Sequence, residues 1–112
     1  MIDLNKIYYL VHPCTTGGST MEENKASEQL AYEKIIAWYP GIKIIRPLQI
    51  IPDGMGHSEA MERCFKLLSG CDTGIFAGYW MISKGCKMEF EFCVTNKKGI
   101  IDFENLFDEV AV

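Results

Sequence analysis

The chain has 112 residues, of which 48% are apolar and 23% are charged, a balance that excludes intrinsic disorder and fibrous proteins. Fifteen acidic against eleven basic residues give a formal charge of −4, which argues against a protein that coats nucleic-acid polymers, because phosphate backbones require clustered cations. We expect a single domain over residues 1–112, since smaller pieces would not bury a core.

The five cysteines are odd in number and include no CxxC pair, a spacing that matches neither a disulfide framework nor a zinc ribbon. We therefore expect reduced thiols, with no metal and no cofactor. No apolar run approaches the roughly 20 residues of a membrane span, and the start of the chain carries Asp3 and no small-residue cleavage site. These features predict a cytoplasmic protein that does not contact membranes.

The first predicted element runs from Lys6 to His12, an apolar stretch rich in β-forming residues that ends at a proline. After a polar, glycine-containing loop, Thr20 and Glu23 have capping-box spacing, as does the pair one residue earlier. This spacing predicts a helix that runs to about Tyr39. The residues expected on its inward face are Ala26, Leu30, Ala31, Ile35 and Trp38.

Ile42–Arg46 is the second predicted strand, and Leu48–His57 has the prolines and glycines of a loop. Ser58 is expected to cap a second helix that ends at Gly70. The third predicted strand is Thr73–Tyr79, and its lack of charge indicates a central place in the sheet. The inward face of the second helix is expected to hold Met61, Cys64, Phe65 and Leu68.

Residues 88–94 alternate between apolar and polar side chains, which is typical of a strand. A helix that begins at Ser83 is the competing interpretation, and the pattern does not decide between them. Gly99–Asp102 is the last predicted strand, followed by an amphipathic helix from Phe103 to Val110.

Strands that alternate with helices predict a parallel sheet wrapped by helices. Ligands of such sheets bind beyond the carboxyl ends of the strands. The segments expected to converge there are residues 13–20, 48–57 and 78–85.

Several side chains near these segments could carry chemistry. Glu89 would project into the cleft if its segment is helical, whereas in a strand it would share a solvated face with Glu91. Asp72, just before the third strand, more often caps nearby backbone in such a position. Cys14 could act as a thiol nucleophile with His12, a third and weaker hypothesis. Two histidines without ligand spacing argue against a metal site.

Three ordered motifs, KIYYLVHP, LLSGCDTGIFAGYW and SKGCKMEFEFC, lie between Lys6 and Asp102. Together they resemble the nucleoside 2-deoxyribosyltransferase superfamily, especially short members such as the deoxynucleoside 5′-monophosphate N-glycosidases and a related phage and bacterial branch. The resemblance implies a flavodoxin-like, three-layer αβα fold with helices on both faces. It also implies a parallel sheet of four to five strands in the order 2-1-3-4, and a helix beginning near Ser83.

The resemblance also implies catalytic roles. The family pattern S/D-x-G-x-x-x-E matches Ser83, Gly85 and Glu89, so Glu89 takes the position of the nucleophile. Asp72 is implied to contact or protonate the base, and Tyr9 to orient the catalytic carboxylate.

The substrate contacts follow from the same resemblance and from the glycine-containing loop, whose amides precede a helix N-terminus and favour an anion. His12 stands where relatives have a small residue, so it is expected to narrow the pocket or add a contact. Tyr79 or Trp80 is expected to stack on the base. The residues expected against the phosphate are Gly17, Gly18, Ser19, Ser83 and Gly85.

We therefore expect an N-glycosidase or deoxyribosyltransferase that acts on a (deoxy)nucleoside or its 5′-monophosphate. The alternative is a non-catalytic domain that binds or sequesters a nucleotide. A homodimer or larger homo-oligomer is expected, because a sheet of few strands leaves edges that need covering. Leu106, Phe107 and Val110 would supply an apolar surface for this contact, or pack on their own sheet.

Overall fold

The computed structural model describes residues 2–15 and 19–107. Its centre is a parallel sheet of four strands in the order β2-β1-β3-β4. This arrangement confirms the α/β class, the parallel sheet and the strand order that the resemblance implies. The strands are β1 (Ile7–Val11), β2 (Lys43–Ile45), β3 (Thr73–Phe76) and β4 (Gly99–Asp102).

Helices cover both faces of the sheet, as expected for three layers. The helices are α1 (Met21–Trp38), the one-turn α2 (Pro47–Ile50), α3 (His57–Ser69) and α4 (Lys84–Thr95), with 3-10 turns at Trp80–Ile82 and Phe103–Phe107. None of these helices combines the length and apolar character needed to cross a bilayer.

The two apolar cores follow from the alternation of side chains along β1. Tyr8 and Leu10 face one way and pack with Ala31 and Ile35 of α1. Tyr9 and Val11 face the other way, and there they pack with residues of α3 and α4, such as Leu68, Cys86 and Cys93. The side chain of Tyr9 therefore points toward α4, where the candidate nucleophile lies.

The segment around residues 88–94 is helical. Ser83 caps α4, since its hydroxyl accepts a hydrogen bond from the backbone N–H of Cys86 at 3.3 Å. Helical spacing buries Cys86, Glu89 and Cys93 on one face and leaves Glu91 exposed. The helical interpretation is therefore confirmed, and the strand interpretation is wrong.

The inward face of α1 includes Ala31 and Ile35 as predicted, but the rest of this face differs from the prediction. Its capping box at Thr20 and Glu23 is present, but Ala26, Leu30 and Trp38 are exposed. The buried residues are Asn24, Glu28, Ala31 and Ile35. The face is rotated because the carboxylate of Glu28 is fully buried and forms a two-pronged ion pair with Arg46 at 2.7 and 2.9 Å.

Smaller departures occur at the element ends. Helix α3 begins at His57 after Gly56, without a side-chain cap, so the prediction of Ser58 as its cap is wrong. The predicted loop after β2 begins with the helical turn α2. Residues 103–107 form a 3-10 turn, and Leu106 is buried in the core beside α1. This segment therefore packs within its own chain, the second of the two alternatives given for it. Val110 lies outside the described residues.

Candidate functional site

A cavity of about 260 Å³ opens at the carboxyl edge of the sheet. Its walls come from the segment after β1 (His12, Cys14 and Thr15), the segment after β2 (Pro47 to His57), and the start of α4. The predicted convergence of these loops is therefore confirmed. The volume lies just below the roughly 300–1,000 Å³ of typical small-molecule sites.

Glu89 lies in the wall of this cavity and is 5% exposed. Its Oε2 accepts a hydrogen bond from the hydroxyl of Tyr9, which is fully buried in the middle of β1. Strand β1 supplies the hydrogen-bond donor and helix α4 supplies the carboxyl group, which is thereby held in position. Tyr9 and Glu89 are therefore in contact, as predicted. No ion pair joins Glu89 to a Lys or Arg among the described residues.

The electrostatics of the pair follow from its burial. Removal from water raises the pKa of Glu89 to about 7, and the hydrogen bond from Tyr9 opposes this rise. Burial also raises the pKa of Tyr9 well above its ordinary value of 10, and the negative charge of Glu89 adds to the effect. The phenol therefore keeps its proton and remains a hydrogen-bond donor, while Glu89 changes its charge near neutral pH.

The start of α4 supplies the floor beside Glu89. Ser83, Lys84 and Gly85 line the cavity, where the positive end of the helix dipole favours an anion. Gly85 is needed for close packing, because a Cβ there would lie 3.2 Å from the sulfur of Met61. Ser83 is buried, and its hydroxyl is already engaged as the helix cap.

His12 forms a neutral part of the wall. Its Nδ1 lies 2.7 Å from the carbonyl of Pro13, which assigns the proton to Nδ1, and its Nε2 lies 3.0 Å from the hydroxyl of Ser27. Burial lowers the pKa of this imidazole. The ring also packs on Gly78 (φ +67°), where a Cβ would lie 2.8 Å from Nε2. His12 therefore lines the cavity with both ring nitrogens already engaged.

Asp72 does not belong to this site. It precedes β3, at the sheet edge opposite the cavity, and its Oδ2 accepts a hydrogen bond from the backbone N–H of Ile7 at 2.8 Å. Its own backbone N–H donates to the carbonyl of Ile7 at 2.8 Å. The role implied by the resemblance, contact with the base, is therefore corrected: Asp72 fastens the start of β1 to β3, as the backbone-capping alternative predicts.

The predicted aromatic contact is also absent from the cavity wall. Trp80 stacks on Phe90, with ring centroids 5.3 Å apart, and contacts Phe76 at 4.9 Å. Tyr79 is largely exposed and does not line the described cavity. Ser19 likewise does not line it, and Gly17 and Gly18 lie outside the described residues.

Cys64 and Cys86 were not predicted to line the cavity. Cys64 and Cys86 line the cavity together with Cys14, although the helical pattern indicated only core packing for Cys64. Burial raises the pKa of the Cys64 thiol to about 11. Burial likewise raises the pKa of Cys14, which disfavours the thiolate that a nucleophilic cysteine requires.

The fold and the cavity define an α/β protein with a cavity at the carboxyl edge of a parallel sheet, and a buried carboxyl group lies in the wall of this cavity. The chain belongs to the family described as a domain of unknown function (DUF4406), whose model matches residues 6–102. No curated protein and no solved structure matches the chain. Among the described residues, no group of three or more His, Cys, Asp or Glu is arranged to hold a metal ion.

Proposed function

We propose that this protein is an N-glycosidase or 2-deoxyribosyltransferase that acts on a nucleoside or a nucleoside 5′-monophosphate. The observation that carries the proposal is the carboxyl group of Glu89, which is buried in the cavity wall and held by the hydroxyl of Tyr9. Burying a carboxyl group without an ion pair is costly. A fold retains such a group most readily where it has chemical work to do.

In the proposed reaction, the ionised carboxylate of Glu89 faces the anomeric carbon of the sugar. The C1′–N bond breaks, the base leaves with the electron pair and takes up a proton, and positive charge develops on the sugar. A fixed carboxylate stabilises this charge and can form a covalent bond to C1′. Water then releases the sugar in a hydrolase, or a second base does so in a transferase. Tyr9 keeps the carboxylate in place throughout.

A 5′-phosphate would lie at the start of α4. Lys84 also lines the cavity and would add a positive charge to the helix dipole there. The distance along the helix also suits a nucleotide, because Glu89 follows Lys84 by five residues, or about 7.5 Å of helix axis. The phosphate would therefore lie near Lys84 and the anomeric carbon near Glu89, at two positions along α4.

The alternative is a non-catalytic domain that binds or sequesters a nucleotide. It is favoured by the position of Asp72, because the carboxyl group expected to assist the leaving base is fixed to the backbone of Ile7 at the far edge of the sheet. A shift in melting temperature with nucleotides, without any product, would support this alternative over the enzyme.

The test is base release from a panel of nucleosides and nucleoside 5′-monophosphates, followed by chromatography. Glu89→Gln keeps the shape of the side chain and removes the charge, so it should abolish release. Glu91→Gln is the matched control, because Glu91 lies on the exposed face of the same helix, and it should keep full activity. A wild type as inert as Glu89→Gln on every substrate would reject the proposed activity.

We further propose that the protein acts in the cytoplasm as a homo-oligomer. All five cysteines are free, which suits a reducing compartment. The exposed apolar side chains Tyr79, Met81 and Ile82 adjoin the start of α4 and would be covered by a second copy. Size-exclusion chromatography with light scattering tests this, and a monomer at all concentrations would contradict it.

A further inference from the structure

The cavity is closed on one side by a thin segment of chain, Ile51 to Met55. All five of its residues line the cavity, yet Pro52, Asp53 and Gly54 are also exposed to solvent. The segment is therefore a wall one residue thick. It joins the short helix α2 to the start of α3, and both of these elements are anchored in the fold.

Among the described residues, few side-chain contacts hold this segment. Gly54 has a left-handed backbone (φ +82°), and a Cβ at Gly54 or at Gly56 would meet nothing within 4 Å. Within residues 2–15 and 19–107, one side-chain hydrogen bond ties residues 52–55 to another element. It is the ion pair between Lys25 Nζ on α1 and Asp53 Oδ1, at 2.6 Å.

The ion pair joins Asp53, which lines the cavity, to α1, whose first residue, Met21, also lines it. Cys14, on the loop after β1, lies near this ion pair. Burial raises the pKa of the Cys14 thiol and is the largest effect. The charge of Lys25 lowers this pKa, and the charge of Asp53 raises it. The first turns of α1 hold that loop as well, because Asn24 Nδ2 donates to the carbonyl of Cys14 at 2.9 Å. The first turns of α1 thus contact both the loop after β1 and the segment Ile51 to Met55.

We propose that Ile51 to Met55 forms a lid over the cavity and that the ion pair between Lys25 and Asp53 is its latch. Both partners are partly exposed, with 32% and 59% of their side chains accessible. Exposed ion pairs contribute little and are screened by salt. The latch therefore opens readily and closes behind a ligand, which suits a site that must admit a substrate and then exclude water. The proposal of a lid depends on the proposed function only for the identity of the ligand.

The thiols of the cavity report on the lid without any nucleotide. Cys64 and Cys86 lie inside the cavity, whereas Cys71 is buried in the core outside it. The experiment measures the alkylation rate of each cysteine in the native protein with iodoacetamide, by peptide mass spectrometry. Asp53→Asn and Lys25→Gln should each increase the rate at Cys64 and Cys86 roughly two- to fivefold, while Cys71 stays unchanged.

Two further arms make the test specific for the latch. The charge exchange Lys25→Asp with Asp53→Lys should return the rates to those of the wild type. Salt at 1 M should increase the rates of the wild type but not those of Asp53→Asn. Lys66→Gln, an exposed lysine on α3, is the matched control and should change nothing.

Unchanged rates in Asp53→Asn and Lys25→Gln would overturn the latch. An increase shared equally by Cys71 would also overturn it, because that result indicates general loosening of the fold. Since no nucleotide is present in this experiment, its failure is distinguishable from failure of the proposed glycosidase activity.

Discussion

The hydroxyl of Tyr9 donates its hydrogen bond to the carboxyl group of Glu89, eighty residues later in the chain. The central strand supplies the donor and the cavity wall supplies the acceptor. This contact is buried within the core between the sheet and α4. It is the element of the site on which the first two predictions depend.

Replacing Tyr9 with Phe should shift the ionisation of Glu89. The hydrogen bond from Tyr9 lowers the pKa of Glu89 against the effect of burial, so its removal should raise this pKa above about 7. The acidic limb of the pH–activity profile should therefore move to higher pH, with the largest loss of activity below pH 7. An unshifted profile would show that Tyr9 does not control the carboxylate.

The stability of the protein should also depend on Glu89 between about pH 4.5 and 7. The folded pKa of about 7 exceeds the ordinary value of 4.5, so folding favours the protonated form of Glu89. The free energy of unfolding therefore has its full contribution from this group below pH 4.5. This contribution is lost as the pH rises through 7. The shift corresponds to about 3 kcal/mol. Urea denaturation at pH 4.5 and pH 8 should show this loss for the wild type and much less of it for Glu89→Gln. Equal losses in both proteins would contradict the assigned shift.

The ion pair between Glu28 and Arg46 should be a major support of the fold. Glu28 is fully buried, and Arg46 also donates to Gln29 at 2.6 Å and lies 3.9 Å above the ring of Tyr32. Replacing one member of a buried pair leaves the other uncompensated, so Glu28→Ala should lower the free energy of unfolding by about 3–5 kcal/mol. Gln29→Ala, which leaves the pair intact, should cost far less. Equal effects of the two variants in urea denaturation would count against this assignment.

The contact between His12 and Gly78 predicts coupling between two variants. Gly78→Ala should destabilise the protein by about 2 kcal/mol, because alanine disfavours a φ of +67° and its Cβ would meet the imidazole at 2.8 Å. In the background of His12→Ala the steric part is removed, so the same substitution should cost less. Thermal denaturation of the four proteins in this cycle measures the coupling, and strict additivity would argue against the contact.

Local rules predicted most of the fold. The capping box at Thr20 and Glu23 marks the start of α1, and strand positions follow from short apolar runs bounded by turns. The alternation in residues 88–94 is typical of a strand, but this segment is helical. Phe90 and Phe92, on either side of exposed Glu91, both pack partly against the core from the helix. Ala31 and Ile35 on the inward face of α1 were predicted, but Glu28 could not be, because its burial depends on Arg46, a partner 18 residues away.

The site was predictable to a lesser extent. The resemblance placed Glu89 and Tyr9 together, but it also placed Asp72 in the site, whereas the position of Asp72 before β3 indicated a backbone contact. Trp80 was assigned to the substrate, whereas it stacks on Phe90, which lies ten residues later on another element and is not indicated as its partner by any local pattern. The ion pair of Asp53 with Lys25 joins residues 28 positions apart, a contact that no local pattern contains.

The most direct test of the central claim is to quench the wild type with acid during turnover of the nucleotide panel and to map the peptide that contains Glu89 by mass spectrometry. The account predicts that a sugar, or a sugar phosphate, is attached to Glu89 whenever base is released, and that Glu89→Gln carries none and releases no base. Base release by Glu89→Gln at the rate of the wild type would contradict it.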